Sequence, residues 1–364
     1  MSAASPLHPL LPEEAGRRLR EARRVLLAAL GPSLAEMLSA TPVVGNLRRA
    51  LPRAELVFLA GPASADAVLD HPDLDAVFTA PSPGLLSAFR RTKLTRRLCR
   101  SPFDAALCLS LIPPPGKDLS LLRGLRPGFV AGLDDAPLGR SRALEAFDCV
   151  VPFPEDPRAH VVDCHLALLE GLGIPVLDRH HHLGVTPAQK ARADQILAGA
   201  GLDPTRPILG AHAGGAPRRP ERQWPPSHYA TVLQRAAREA GYQTVLLGTR
   251  ADLPTLDAVQ ALGKAPIPRL LDLPFADYKA VLSRLRFFIT HDGDPVHVAA
   301  AVGTRCFFIF ISTPAWKWAP YGSHVSVWEE AGHPPGPAEA WARIKPLLAE
   351  AAGSGIAEGG GSGQ

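Results

Sequence analysis

Short apolar runs alternate with longer, helix-patterned stretches along almost the whole chain, and this rhythm constrains the fold more than any single motif. A strand buried on both faces reads as a continuous apolar run, and joining it to a parallel neighbour takes a crossover of about a dozen residues, usually a helix. In the first half, residues 24–30, 55–60, 76–80, 105–110, 129–133 and 149–153 read as strands, and 34–51, 85–100 and 163–172 as helices. Pro42 is expected to kink or divide the first of these helices. In the second half, 207–213, 244–248, 286–292 and 306–311 read as strands, with 325–328 as an edge strand; 227–240, 252–262, 275–285, 294–302 and 337–352 read as helices. A polar stretch, 173–187, separates the two series. The expectation is an α/β chain of two doubly wound domains facing each other across a cleft: a flexible tail 1–20, a first domain 21–175, a linker 176–186, a second domain 187–352 and a loose tail 353–364. Ligands in such sheets bind beyond the carboxyl ends of the strands.

With 364 residues and 46% apolar content the chain has material for two cores, which excludes a largely disordered protein. The longest apolar run, near Cys306, falls well short of the ~20 residues a membrane span requires. The first residues carry no charged segment followed by an apolar one, so a cytoplasmic location is expected. A net charge of +4 is too modest to call for nucleic acid. The five cysteines form no C-x-x-C pair and read as buried free thiols.

Two loops carry the chemistry. In Thr290-His-Asp-Gly-Asp-Pro-Val-His-Val-Ala-Ala-Ala-Val-Gly-Thr304 an apolar strand ends in a polar turn and a helix of small residues follows at once. The free N–H groups and positive dipole end of such a helix favour an anion such as a diphosphate. The plainer alternative is a βα turn in which Asp292 or Asp294 caps the helix. The second loop, His212-Ala-Gly-Gly-Ala-Pro-Arg-Arg-Pro-Glu-Arg-Gln-Trp-Pro225, combines glycines that admit a close backbone approach with Arg218, Arg219 and Arg222, whose forks suit phosphate oxygens. A solvated arginine loop is the alternative there.

A third feature is a stripe. On the helix covering 85–100, Arg90, Lys93, Arg96, Arg97 and Arg100 fall within an arc of about 120°. Such a stripe is either a solvated face or a surface for phosphate or an anionic membrane. His180, His181 and His182 suggest a metal, but consecutive histidines in a linker converge poorly on one ion and no acidic or cysteine partner sits at a supporting spacing, so no metal is expected.

Taken in order, these motifs resemble glycosyltransferase family 9, the lipopolysaccharide heptosyltransferases. The resemblance is carried by Ala40-Thr-Pro-Val-Val-Gly-Asn-Leu-Arg-Arg-Ala-Leu-Pro52, by the H-x-G, basic and W-P loop, by Val245-Leu-Leu-Gly248 and by the D-x-x-P-x-H-x-A-A-A-x-G-T turn. It implies the GT-B fold of two Rossmann-like domains, an ADP-sugar donor (typically ADP-heptose) and inverting, metal-independent transfer to a lipopolysaccharide-core or related glycan, with no cofactor.

Position by position, it puts Glu36 where the family has its proposed base, an aspartate. It puts Arg222 at the donor phosphate, Asp292 and Gly293 in the phosphate turn, and Pro295, Val296 and His297 at the helix start, although a lone histidine on a helix of small residues, such as His297, is more often structural. Thr249 and Asp252 fall at the adenosine end. Arg90, Lys93 and Arg97 then face an anionic glycolipid acceptor, with peripheral contact at the cytoplasmic face of the inner membrane. The chain departs from the pattern at Glu36, at Ala35 and at Asp294, the last two standing where the family has glycine. A catalytically impaired homologue that binds a nucleotide sugar or glycan is the alternative these departures raise.

Overall fold

The computed structural model describes residues 10–31, 33–81, 87–111, 116–134, 147–215, 223–263, 265–329 and 333–353. They form two compact units that divide between Gly184 and Val185. The first runs α1 (Pro12–Arg20), β1 (Arg24–Ala29), α2 (Leu34–Ala50), β2 (Glu55–Ala60), β3 (Ala76–Thr79), α3 (Ser87–Leu98), β4 (Ala105–Cys108), α4 (Gly116–Gly124), β5 (Val130–Leu133), β6 (Cys149–Val151) and α5 (Val161–Gly171). The second runs α6 (Pro187–Gly199), β7 (Ile208–His212), α7 (Pro226–Glu239), β8 (Gln243–Gly248), α8 (Leu253–Leu262), β9 (Arg269–Leu271), α9 (Phe275–Arg284), β10 (Phe287–His291), α10 (Asp294–Ala301), β11 (Cys306–Ile309), α11 (Ala315–Trp318), β12 (Val325–Trp328) and α12 (Pro337–Gly353).

Each unit holds a six-stranded sheet, ordered β3-β2-β1-β4-β5-β6 in the first and β12-β11-β10-β7-β8-β9 in the second. Every strand pairing is parallel. The strand order reverses between β1 and β4 and between β7 and β10, which opens a crevice at those two points. β7 and β10 are buried at every position, as strands covered on both faces must be. Leu209, Ile289, Phe307 and Ile309 meet Leu233 of α7 and Ile344 of α12 in the core of the second unit.

Several local expectations change in the structure. Residues 12–20, expected within a loose tail, form α1, with Pro12 at its first position, Glu13 and Glu14 in its first turn and Arg17, Arg18 and Arg20 in its last. It is held down because Gly16 lies so close to the Leu172 carbonyl that a Cβ there would stand 2.0 Å from that oxygen. Pro42 does not divide α2. A proline removes the N–H that would bond the carbonyl four residues back, and the Thr41 hydroxyl donates to that Leu38 carbonyl instead, at 2.6 Å.

The second unit opens on a helix not read from the sequence, α6, started by Pro187 and a capping box between Thr186 and Gln189. Its buried stripe is only Ala193 and Leu197, too narrow to show as periodicity. β9 is equally faint, three residues long beside β8.

The histidine run also has a carboxylate partner. Asp178 accepts from His180 Nδ1 at 2.6 Å and His182 Nε2 at 2.9 Å, while buried Asn46 clasps the chain at 177–178 through three backbone hydrogen bonds and donates a fourth to the Pro42 carbonyl. The polar face of α2 thereby fixes the end of the first unit. Four of the cysteines are buried and Cys99 is exposed. Among the described residues no helix is long and apolar enough to cross a membrane.

Candidate functional site

At the carboxyl ends of β7, β8 and β10 lies a cavity of about 450 Å³, bounded by the turns after each strand and by the start of α10. Of the residues singled out in the sequence, Thr249, Asp252, Asp292, Gly293 and Pro295 line it. Val296 and His297 are buried inside α10, where His297 stands edge-on to Trp318 with ring centroids 6.3 Å apart. Arg222 lies outside the described residues, as do Arg218 and Arg219.

Asp252 is buried and turned inward. One of its oxygens accepts from the Gly215 N–H at 2.7 Å; the other accepts from the Thr249 N–H at 2.7 Å and its hydroxyl at 2.8 Å. Burial alone would raise this carboxyl, but those donors outweigh it and hold it below the ordinary value. Gly214 and Gly248 make room for it: a Cβ on Gly214 would meet the Asp252 carboxyl carbon at 2.2 Å, and one on Gly248 its oxygen at 3.1 Å. The glycines after β7, read in the sequence as room for a ligand, therefore make room first for a carboxylate.

Asp292 has a comparable task. One oxygen accepts from the Ser312 N–H at 3.2 Å and the Thr313 N–H at 3.0 Å, tying the turn after β11 to the turn after β10. It does not cap α10. The residue at its N-cap is Gly293, whose φ of 151° is left to glycine, and no side chain caps the helix. Asp294, the first helical residue, is exposed.

Sequence reasoning did not single out the polar atoms behind these turns. His212 Nδ1, His291 Nε2 and the second oxygen of Asp292, all on residues that line the cavity, are buried and have no hydrogen-bond partner among the described residues. Burial lowers the His212 imidazole and drives that of His291 down to about 3, so both rings are neutral at physiological pH. The buried Tyr278 hydroxyl, also without a partner, is raised by burial and by the charges of Asp294 and Asp252. Their only signal in the sequence is that His212 and His291 end strands that become neighbours in the sheet. Trp224 is structural here: it donates to the Pro335 carbonyl at 2.8 Å and packs edge-on against Tyr229 at 4.8 Å.

In the first unit, Glu36 sits in the first turn of α2, beside the crevice between β1 and β4. Ser33 caps that helix by accepting from the Glu36 N–H at 3.3 Å, and the Glu36 carboxylate accepts from the Leu111 N–H at 3.4 Å. Partial burial raises its carboxyl above the ordinary 4.5, and the Leu111 bond offsets only part of that. A carboxylate made more basic in this way suits proton abstraction. On α3, Arg90, Lys93 and Arg97 are exposed, Arg97 lies over the Phe78 ring at 4.9 Å, and Phe89 is 71% exposed.

Two double-sided parallel sheets of this strand order, one with a polar cavity at the start of a helix, define a protein of the GT-B class. The chain belongs to glycosyltransferase family 9, the heptosyltransferases: the model of that family matches residues 91–337. It is 22% identical over 300 residues to lipopolysaccharide heptosyltransferase 3 of Escherichia coli, covering 80% of this chain and 84% of that one. A family 9 glycosyl transferase from Veillonella parvula shares its fold with a TM-score of 0.78 at 18% identity, over 95% of this chain and all of that one. The ADP-heptose LPS heptosyltransferase II of E. coli matches with a TM-score of 0.70 at 19% identity, over 90% of this chain and 99% of that one.

Proposed function

We propose that this glycosyltransferase uses an ADP-sugar, with ADP-heptose as the leading donor, and transfers the sugar to a lipopolysaccharide-core or related anionic glycan. The observation that carries this reading is the cavity beside the start of α10, whose lining residues hold buried polar atoms without a partner among the described residues, in a chain whose family relatives include one named for ADP-heptose. The diphosphate sits beside Gly293, Pro295 and Val296, at the positive end of the α10 dipole; Arg222 adds a cation, and the adenosine end lies toward Thr249 and Asp252. In the first unit Glu36 takes the proton of the acceptor hydroxyl as that oxygen attacks the anomeric carbon. The bond to the diphosphate breaks on the opposite face, ADP leaves, and the configuration inverts. No step in this scheme uses a metal or cofactor.

The test is direct. A ligand at about 100 times its Kd adds about 2.7 kcal/mol of stability, so ADP-heptose is expected to raise the melting temperature. Incubation with a core-glycan acceptor should then release ADP and lengthen the glycan. Failure of every ADP-sugar to stabilise the chain would remove the donor assignment. A second reading, a homologue that binds without turnover, is favoured by one observation: exposed Asp294 adds a negative charge where the diphosphate would approach α10. Stabilisation without ADP release selects it.

The exposed face of α3 is the proposed contact for the anionic acceptor and the membrane surface that carries it. Each basic residue near such a surface contributes about 1 kcal/mol, so Arg90→Gln with Lys93→Gln should weaken partitioning to phosphatidylglycerol vesicles by roughly 30-fold. Co-sedimentation at low salt measures it, and equal partitioning of both proteins would exclude α3 as the contact.

A further inference from the structure

We propose that His291 is a hydrogen-bond acceptor for a hydroxyl of the donor ligand, and that Tyr229 is the positioning residue that sets its tautomer. This rests on reading the cavity at β7, β8 and β10 as the donor site.

The argument is donor counting. The Tyr229 hydroxyl lies 3.2 Å from the His212 carbonyl and 2.8 Å from His291 Nδ1. A phenol has one proton and a carbonyl has none to give. Both contacts are hydrogen bonds only when the Tyr229 proton goes to the His212 carbonyl, which also receives the Thr290 hydroxyl at 3.0 Å. In that arrangement His291 Nδ1 carries a proton and donates it to the Tyr229 oxygen. The imidazole is 1% exposed and kept neutral by burial, so its other nitrogen, Nε2, holds a bare lone pair. The titratable groups around it, Tyr229, His212 and Asp252, do not reverse that state: the Tyr229 hydroxyl is raised well above its ordinary value by burial, and the nearby His212 pushes His291 further toward neutrality.

His291 lines the cavity, and Nε2 has no partner among the described residues. A lone pair repels phosphate oxygens, so this atom is suited to the donor's hydroxyls and not to its diphosphate. Tyr229 in turn is held by packing, edge-on against Trp224 and close to His291, with ring centroids 4.8 and 6.1 Å away. The Trp-Pro segment thus acts on the site at one remove, by placing the phenol that orients the histidine.

Two measurements test this. Long-range ¹H–¹⁵N spectra of the full chain labelled at histidine should give His291 as the Nδ1–H tautomer from pH 5 to 8, and a mixture in Tyr229→Phe. Titration with ADP-heptose and with ADP should find His291→Phe about tenfold weaker than wild type, the order expected for one lost hydrogen bond, with Tyr229→Phe between them. Loss for ADP-heptose alone assigns a sugar hydroxyl, and loss for both assigns a ribose hydroxyl. An Nε2–H tautomer in the wild type, or equal affinity of wild type and His291→Phe, overturns the proposal. If the wild type binds neither compound, the donor reading fails, and the ligand-free tautomer still decides whether Tyr229 orients His291.

Discussion

Glu36→Gln is expected to lower sugar transfer by about 10² to 10⁴-fold, the range of a lost general base, while ADP-heptose binds as before. The two effects separate because Glu36 belongs to the first unit and the donor cavity to the second. Glutamine keeps the shape and the carbonyl oxygen that accepts from the Leu111 N–H, so the helix start survives.

The variant should also be at least as stable as the wild type at neutral pH. Burial raises the Glu36 carboxyl above 4.5, so the folded chain holds a proton that the unfolded chain releases. Stability contributed here is full at low pH and declines as pH climbs through the raised value, leaving the charged carboxylate a liability at pH 7. The glutamine variant should lack that decline. For the same reason the acid limb of kcat/KM in the wild type should lie above 4.5, since the base works only when ionised. Wild-type turnover in the glutamine variant would end the assignment of Glu36 as base.

Asp252→Ala is expected to cost about 3 kcal/mol, because it strands buried N–H and O–H donors that a charged acceptor had satisfied. The donors are the Gly215 N–H and both groups of Thr249. For a unit of this size that corresponds to a melting temperature about 6–12 °C lower. Donor binding should fall as well, since the turns after β7 and β8 are no longer tied together.

Asp252→Asn sharpens the test. An amide turns N–H toward a backbone N–H, so it should lose most of the same stability. Were Asp252 only a ribose contact, the asparagine variant would melt like the wild type and lose affinity alone. The pH sign is opposite to that of Glu36. Because the folded chain holds Asp252 below its ordinary 3.8, its contribution is whole at neutral pH and is lost as acidification passes the lowered value. Thermal melts of both variants between pH 3 and 7, paired with nucleotide titrations, distinguish the two roles.

These residues mark how far the sequence could be read. Every strand except β9 was legible, the inner ones because a doubly covered parallel strand is apolar throughout, and 55–60 and 325–328 coincide with β2 and β12. The turns at their carboxyl ends followed from the chain order, and the motifs in them identified the family. Elements with little buried surface were not legible: α6 offers the core two side chains, and β9 is three residues of ladder. The fate of Pro42 also escaped, because its repair depends on a hydroxyl one residue earlier.

What the sequence alone determined is the class: alternating periods dictate parallel sheets, and strand-turn-helix order brings polar turns and a helix start to one edge. What only the tertiary structure decided is the aim of each polar side chain. Asp252 bonds a glycine 37 residues away, Asp292 a turn 20 residues on, and Tyr229 a histidine 62 residues away. Local propensity acts over about one helical turn, whereas these partners are chosen by sheet pairing and by which buried donors would otherwise go unsatisfied.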